Sequence, residues 1–161
     1  MFTLARNLWI AAASASLFLL SATVSIAAEE RRLQAVNPPG ADIPGISQAM
    51  IVRSGKLMYL SGHVPFGGDG KLAVADFEAQ LDQVFANMGR TLEAAGTDFS
   101  ALARVTFFVR DYDISKLEAL RVIRDRWIDT ENPPASALVG VAALFHPDVL
   151  VEVDAIAVLP D

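Results

Sequence analysis

Cysteine is absent from all 161 residues, and histidine occurs only as His63 and His146. The first absence excludes disulfides, thiolate metal centres and a lipid-modified N-terminus. The two histidines lie far apart in sequence and form no metal-ligand cluster with neighbouring acids, so no metal is expected. Basic charge is also short, with 13 Lys and Arg against 19 Asp and Glu and a formal net charge of −6. An acidic surface repels phosphate backbones, and no basic patch interleaved with aromatics occurs, so nucleic acid is not an expected partner. Stability must come from an apolar core and from self-association rather than from covalent staples.

What is present begins with an apolar, alanine-rich opening, MFTLARNLWIAAASASLFLLSATVSIAAEE. A single positive residue, Arg6, precedes the apolar run, and Ser25-Ile26-Ala27 has the small-x-small pattern of a signal-peptidase site. Residues 1–27 therefore read as a secretory signal cut after Ala27 or Ala28, giving a periplasmic or secreted protein. The rival reading is an N-terminal membrane anchor, because the run from Leu8 to Ile26 nearly reaches the ~20 apolar residues that span a bilayer. Cleavage would leave 12 basic and 19 acidic residues, a net charge of −7, and no stable membrane contact.

Residues 28–44, polar and proline-rich, read as a linker, and 45–161 as one domain. MIVRSGKLMYLSG sets Arg53-Ser54-Gly55-Lys56 between two β-prone runs, the pattern of a hairpin. GGDG at 67–70 is a loop. Phe77, Leu81, Val84, Phe85, Met88 and Leu92 recur at three- and four-residue steps, predicting a helix from an Asp76 N-cap to Gly96. ALARVTFFVRD alternates as a half-buried strand, and a second helix fits 114–128. Two further strands, 135–143 and 149–159, read as a closing hairpin around LFHPD.

Two helices cover only one face of such a sheet. Along the last strand Val149, Val151, Val153, Ala155 and Ala157 share the core face. Leu150, Glu152, Asp154, Ile156 and Val158 share the other, too apolar for open water and too acidic for a core. That mixture suits a subunit interface or a cleft beside one.

Ser61-Gly62-His63-Val64-Pro65, Gln80 and Asn87 followed by Ala95-Gly96, VTFFVRD at 105–111, Pro133-Pro134-Ala135 and VEVDAIAV from Val151 together resemble the Rid (YjgF, reactive intermediate deaminase) family. The likeness runs from about Gly45 to the C-terminus. It implies an α/β (α+β) chorismate-mutase-like fold, a mixed sheet with two helices on one face, assembled as a homotrimer with small-molecule clefts between subunits. For the best-known branch it also implies hydrolysis of 2-enamino and 2-imino acids to 2-keto acids and ammonia, with no cofactor. The imine carbon is already electrophilic, so the protein has only to hold the substrate and place a water.

The same resemblance assigns candidate residues. Glu152 matches the glutamate held to orient or activate the attacking water, a structural salt bridge across the trimer interface being the alternative, and Ser61 with Gly62 matches a cleft-lining loop. Ser136 stands where that branch has an arginine gripping the substrate carboxylate, Ile46 where it has a tyrosine, and Leu138 where it often has a cysteine. His63 replaces a common glutamine and lines the cleft with Ser61 and Ser136, a hydrogen-bonded loop histidine being favoured over a proton-transfer role; His146 reads as a turn residue. A serine hydroxyl carries no charge and replaces a two-bonded fork by one hydrogen bond. Arg121 or its neighbour Arg124 is a candidate for a displaced positive charge, Arg121 falling near a cleft-lining asparagine of the active branch; pairing of Arg121 with Asp125 on a solvated face is the structural alternative. If the last two strands pair, Ser136 and Glu152 face one cleft. The implied function is a hydrolytic deaminase of enamine or imine intermediates, or a related hydrolysis; the alternative is an exported small-molecule-binding trimer without catalysis. The ribonuclease label sometimes attached to this family gains no support from an acidic domain.

Overall fold

A computed structural model describes residues 31–73 and 76–161; the expected signal segment lies outside them. The described residues form strands β1 (Leu33–Val36), β2 (Ala49–Val52) and β3 (Lys56–His63), helix α1 (Phe77–Ala94), strand β4 (Leu102–Arg110), helix α2 (Lys116–Trp127), and strands β5 (Ala135–Val141) and β6 (Val151–Leu159). This is the α+β class with a mixed sheet. Among the described residues no helix is long and apolar enough to cross a membrane.

Helix α1 follows its sequence signals closely. The Asp76 side chain accepts a hydrogen bond from the Ala79 amide, capping the first turn. At the other end Gly96 takes φ +74°, its amide donating to Glu93 O, while the Thr97 amide donates to Leu92 O. This paired return is the Schellman motif, which leaves a positive φ that glycine adopts without a Cβ penalty. Between the caps, Leu81, Val84, Phe85, Met88 and Leu92 are fully buried. Gln80 on the same stripe is also fully buried, and its amide bridges Asp148 O and the Leu150 amide, tying α1 to the entry of β6.

The main sheet has the order β3-β6-β4-β5, with β6 antiparallel to both neighbours and β5 parallel to β4. Two expected hairpins are therefore not hairpins. β2 and β3 are both strands, but β2 pairs with β1 in a separate two-stranded sheet, whereas β3 pairs with β6. Gly55 turns the chain between the two sheets at φ +104°. Likewise β5 does not pair with β6, because β4 lies between them. The physical reason is the helix between β4 and β5: a strand, a crossing helix and a parallel neighbour form one βαβ unit, which takes the edge that a hairpin would need. Leu33–Val36, expected as linker, is likewise a paired strand, with Leu33 opposite Val52.

Both helices pack on one sheet face, where Val105, Phe107, Val109, Val151, Val153, Ala155 and Ala157 meet the α1 stripe and Leu120 and Ile123 of α2. The Phe85 ring lies parallel to the Trp127 indole with centroids 6.1 Å apart, and Phe99 and Phe107 complete an aromatic cluster. On the opposite face Tyr59 is 73% exposed and Leu57 50% exposed, so this face lacks a cover among the described residues.

Candidate functional site

The site candidate lies on that uncovered face, where the β3–β6 ladder is interrupted. Leu60 stands opposite Ala155, but His63 stands opposite Val153, so β3 carries one more residue than β6 over this stretch. The extra residue makes a bulge at Ser61-Gly62, a device common beside functional sites because it re-aims the local backbone. Glu152, the next residue of β6, lays its carboxylate over the bulge, and a Cβ at position 62 would overlap Glu152 Oε1. Only glycine leaves that space. Glu152 is half-buried, pairs across the sheet with Phe108, and shares its face with Asp154, which is opposite Thr106. The arrangement offers a carboxylate beside open backbone, suited to holding a water or a polar ligand atom.

The His63 ring folds back over the bulge, Nδ1 standing 2.8 Å from the Ser61 carbonyl oxygen and Nε2 2.8 Å from the Thr91 hydroxyl of α1. One turn earlier on α1, the Asn87 side-chain amide donates to Val64 O and Phe66 O at 2.7 and 2.8 Å. Helix α1 thus holds the whole segment that follows the bulge. Thr91 is a residue the sequence reading missed. Its spacing of four from Asn87 on the polar border of α1 was the available signal.

The other candidates lie elsewhere. Ser136 pairs with Val105 and Leu138 with Phe107, and the partners on β4 are core residues, so both candidates point to the helix-covered face. Leu138 packs against the core. Glu152 points the opposite way, one strand removed, so Ser136 and Glu152 do not share a cleft within one chain. The parity argument held within each strand; the assumed pairing between the strands did not. Ile46 is half-buried in the segment that runs to Ser47, whose amide and hydroxyl donate to Pro134 O and Pro133 O, fastening this segment to the start of β5.

Of the two arginines on α2, Arg121 is exposed and Arg124 is 3% exposed. The Arg124 guanidinium covers Gly45, donates to Pro44 O and pairs with Asp125, the carboxylate expected to pair with Arg121. The inward cation is therefore spent on fastening the 44–47 segment to α2. Gly45 has φ +70°, and a Cβ there would overlap Arg124 Nη2. Gly45→Ala is expected to lower stability by about 2 kcal/mol or more, combining the left-handed backbone cost with the displaced guanidinium. Chemical denaturation measures this, and a change below about 0.5 kcal/mol would show that the guanidinium moves aside freely.

Three carboxyls in turns are held below the ordinary carboxylate range, Asp98 and Asp113 first by the hydroxyls of Ser100 and Ser115, and Asp129 first by the side chain of Asn132. They stabilise turns and stand apart from Glu152 in the sequence. Among the described residues, no three or more His, Asp or Glu side chains converge to hold a metal ion.

The model of the family described as Endoribonuclease L-PSP matches residues 43–159. The chain belongs to that family, which includes the Rid proteins. Protein DfrA of Myxococcus xanthus is 37% identical over 113 residues, covering 70% of this chain and 83% of the relative. Reactive Intermediate Deaminase A, chloroplastic, of Arabidopsis thaliana is 27% identical over 154 residues, covering 91% and 80%. Among solved structures, the Rid-family protein YyfB from Yersinia pestis superimposes with a TM-score of 0.71 at 28% identity, over 80% of this chain and 99% of that one. The family match takes in β2 to β6 and every Rid candidate residue named above, and leaves β1 outside it.

Proposed function

We propose that this Rid-family chain is a hydrolytic deaminase of reactive enamine or imine intermediates, working at clefts completed by neighbouring copies in a homotrimer. The observation that carries the reading is the Glu152 carboxylate seated over the Ser61-Gly62 bulge on the uncovered sheet face. There it orders a water for attack on the imine carbon and takes up a proton as the carbon–oxygen bond forms. With the imine nitrogen already protonated, Glu152 returns its proton to the amine so formed. The tetrahedral carbon then expels ammonia as its hydroxyl proton passes to the carboxylate, leaving a 2-keto acid. The exposed apolar side chains of Leu57, Tyr59 and Val139 on the same face supply the surface that copies would bury. The N-terminal segment supports export, with anchoring as the alternative fate of an uncut leader.

Ser136 favours a second reading, a binding trimer without catalysis, because no charge stands at that position to grip a carboxylate. The direct test is ammonia release from a freshly generated 2-imino acid, set against buffer alone. Acceleration above the blank supports the deaminase; a rate equal to the blank, with the ligand still bound in calorimetry, moves the binding trimer to the front. Ser136→Arg tests substrate choice. It is expected to raise kcat/KM for an imino acid by roughly tenfold, the scale of one charge-assisted hydrogen bond of about 1.5 kcal/mol, while leaving an imine without a carboxylate unchanged.

A further inference from the structure

His63 was expected to line the substrate cleft, but both of its ring nitrogens are engaged inside the fold. The Ser61 carbonyl can only accept, so the Nδ1 facing it carries the hydrogen, while Nε2 meets the Thr91 hydroxyl, which also donates to Asn87 O at 3.2 Å within α1. Neither nitrogen is left for a substrate. We propose that His63 is a positioning residue, which transmits the rigidity of α1 through Thr91 to the Ser61-Gly62 bulge and so fixes the surface on which the Glu152 carboxylate rests.

The chain of contacts is continuous. Thr91 stands beside Leu92 and one turn from Met88, both fully buried in the core. From Thr91 the ring reaches the Ser61 carbonyl, and the next residue is the glycine under Glu152. A bulge is where a ladder loses its regular hydrogen bonds, so the local backbone needs another restraint. Without it the carboxylate has a support free to shift, and a displacement near 1 Å at a reacting group costs about 10²-fold in rate.

This inference rests on the deaminase reading, and the experiment separates the two. With a 2-imino acid as substrate, His63→Ala is expected to lower kcat by about 10- to 100-fold with KM changed less than about threefold. Thr91→Val, which removes the hydroxyl and keeps the shape, is expected to reproduce much of the loss, and Thr91→Ser to restore parental kcat. The double variant His63→Ala/Thr91→Val should be no slower than His63→Ala alone, because both break one line of contacts. A rise in KM at unchanged kcat, or additive losses, would overturn the proposal in favour of direct substrate contact or two independent structural effects. Should the parent itself fail to accelerate hydrolysis, the deaminase reading falls, and amide exchange at Gly62 decides the positioning role. Exchange at least about tenfold faster in His63→Ala and Thr91→Val than in the parent and Thr91→Ser upholds it, and equal exchange in all four rejects it.

Discussion

Glu152→Ala is expected to lower the rate of imine hydrolysis by about 10²- to 10⁴-fold, the usual contribution of one positioned acid–base group. The carboxylate is half-buried on the uncovered face, so its removal leaves no cavity in the core and the midpoint of thermal unfolding should shift little. Gly62→Ala provides an independent check, since the new Cβ overlaps Glu152 Oε1 while the carboxylate itself is retained. Its rate should fall by at least about tenfold, through displacement rather than deletion. Parental kcat in both variants, measured with folding confirmed by circular dichroism, would remove Glu152 from the reaction.

Phe85→Ala is expected to cost about 3–5 kcal/mol, against a net stability of about 5–15 kcal/mol for a domain of this kind. The ring is fully buried and has three aromatic neighbours, with centroids 5.9 Å away at Phe99 and 6.1 Å away at both Phe107 and Trp127. These neighbours come from α2, from β4 and from the turn before β4, so no one segment can collapse into the space. The corresponding drop in unfolding temperature is roughly 10 °C or more. Calorimetry showing a loss below about 1 kcal/mol would mean that the cluster repacks around the vacancy and is not the centre of the core.

The sequence made α1 legible because cap, stripe and terminal glycine all depend on residues within one segment. The same holds for the two faces of β6, where alternation alone assigns Val151 and Val153 to the core and Glu152 and Asp154 to the other side. Strand partners were not legible. Alternation fixes which way a side chain points and carries no information on the neighbour, so adjacency in sequence suggested hairpins where β4 and β6 in fact pair. The helix between β4 and β5 was the overlooked signal. At the site, Glu152 and Gly62 were brought together only by family resemblance, because a bulge is set by a mismatch between two strands and neither sequence shows it alone. The choice between Arg121 and Arg124 had the same character. Both are near each other on one helix surface, and the deciding feature is a missing side chain on another segment, at Gly45.

The opposed directions of Ser136 and Glu152 carry a consequence for how the reaction responds to the amount of protein. A monomer presents the Glu152 carboxylate on one side of the sheet and the Ser136 side chain on the other, so within one chain the two stay apart. Under the proposed assembly, each working centre is then made by encounter, and its abundance follows mass action. Dilution below the dissociation constant would silence the reaction with every chain still folded, and specific activity would rise with concentration until assembly is complete.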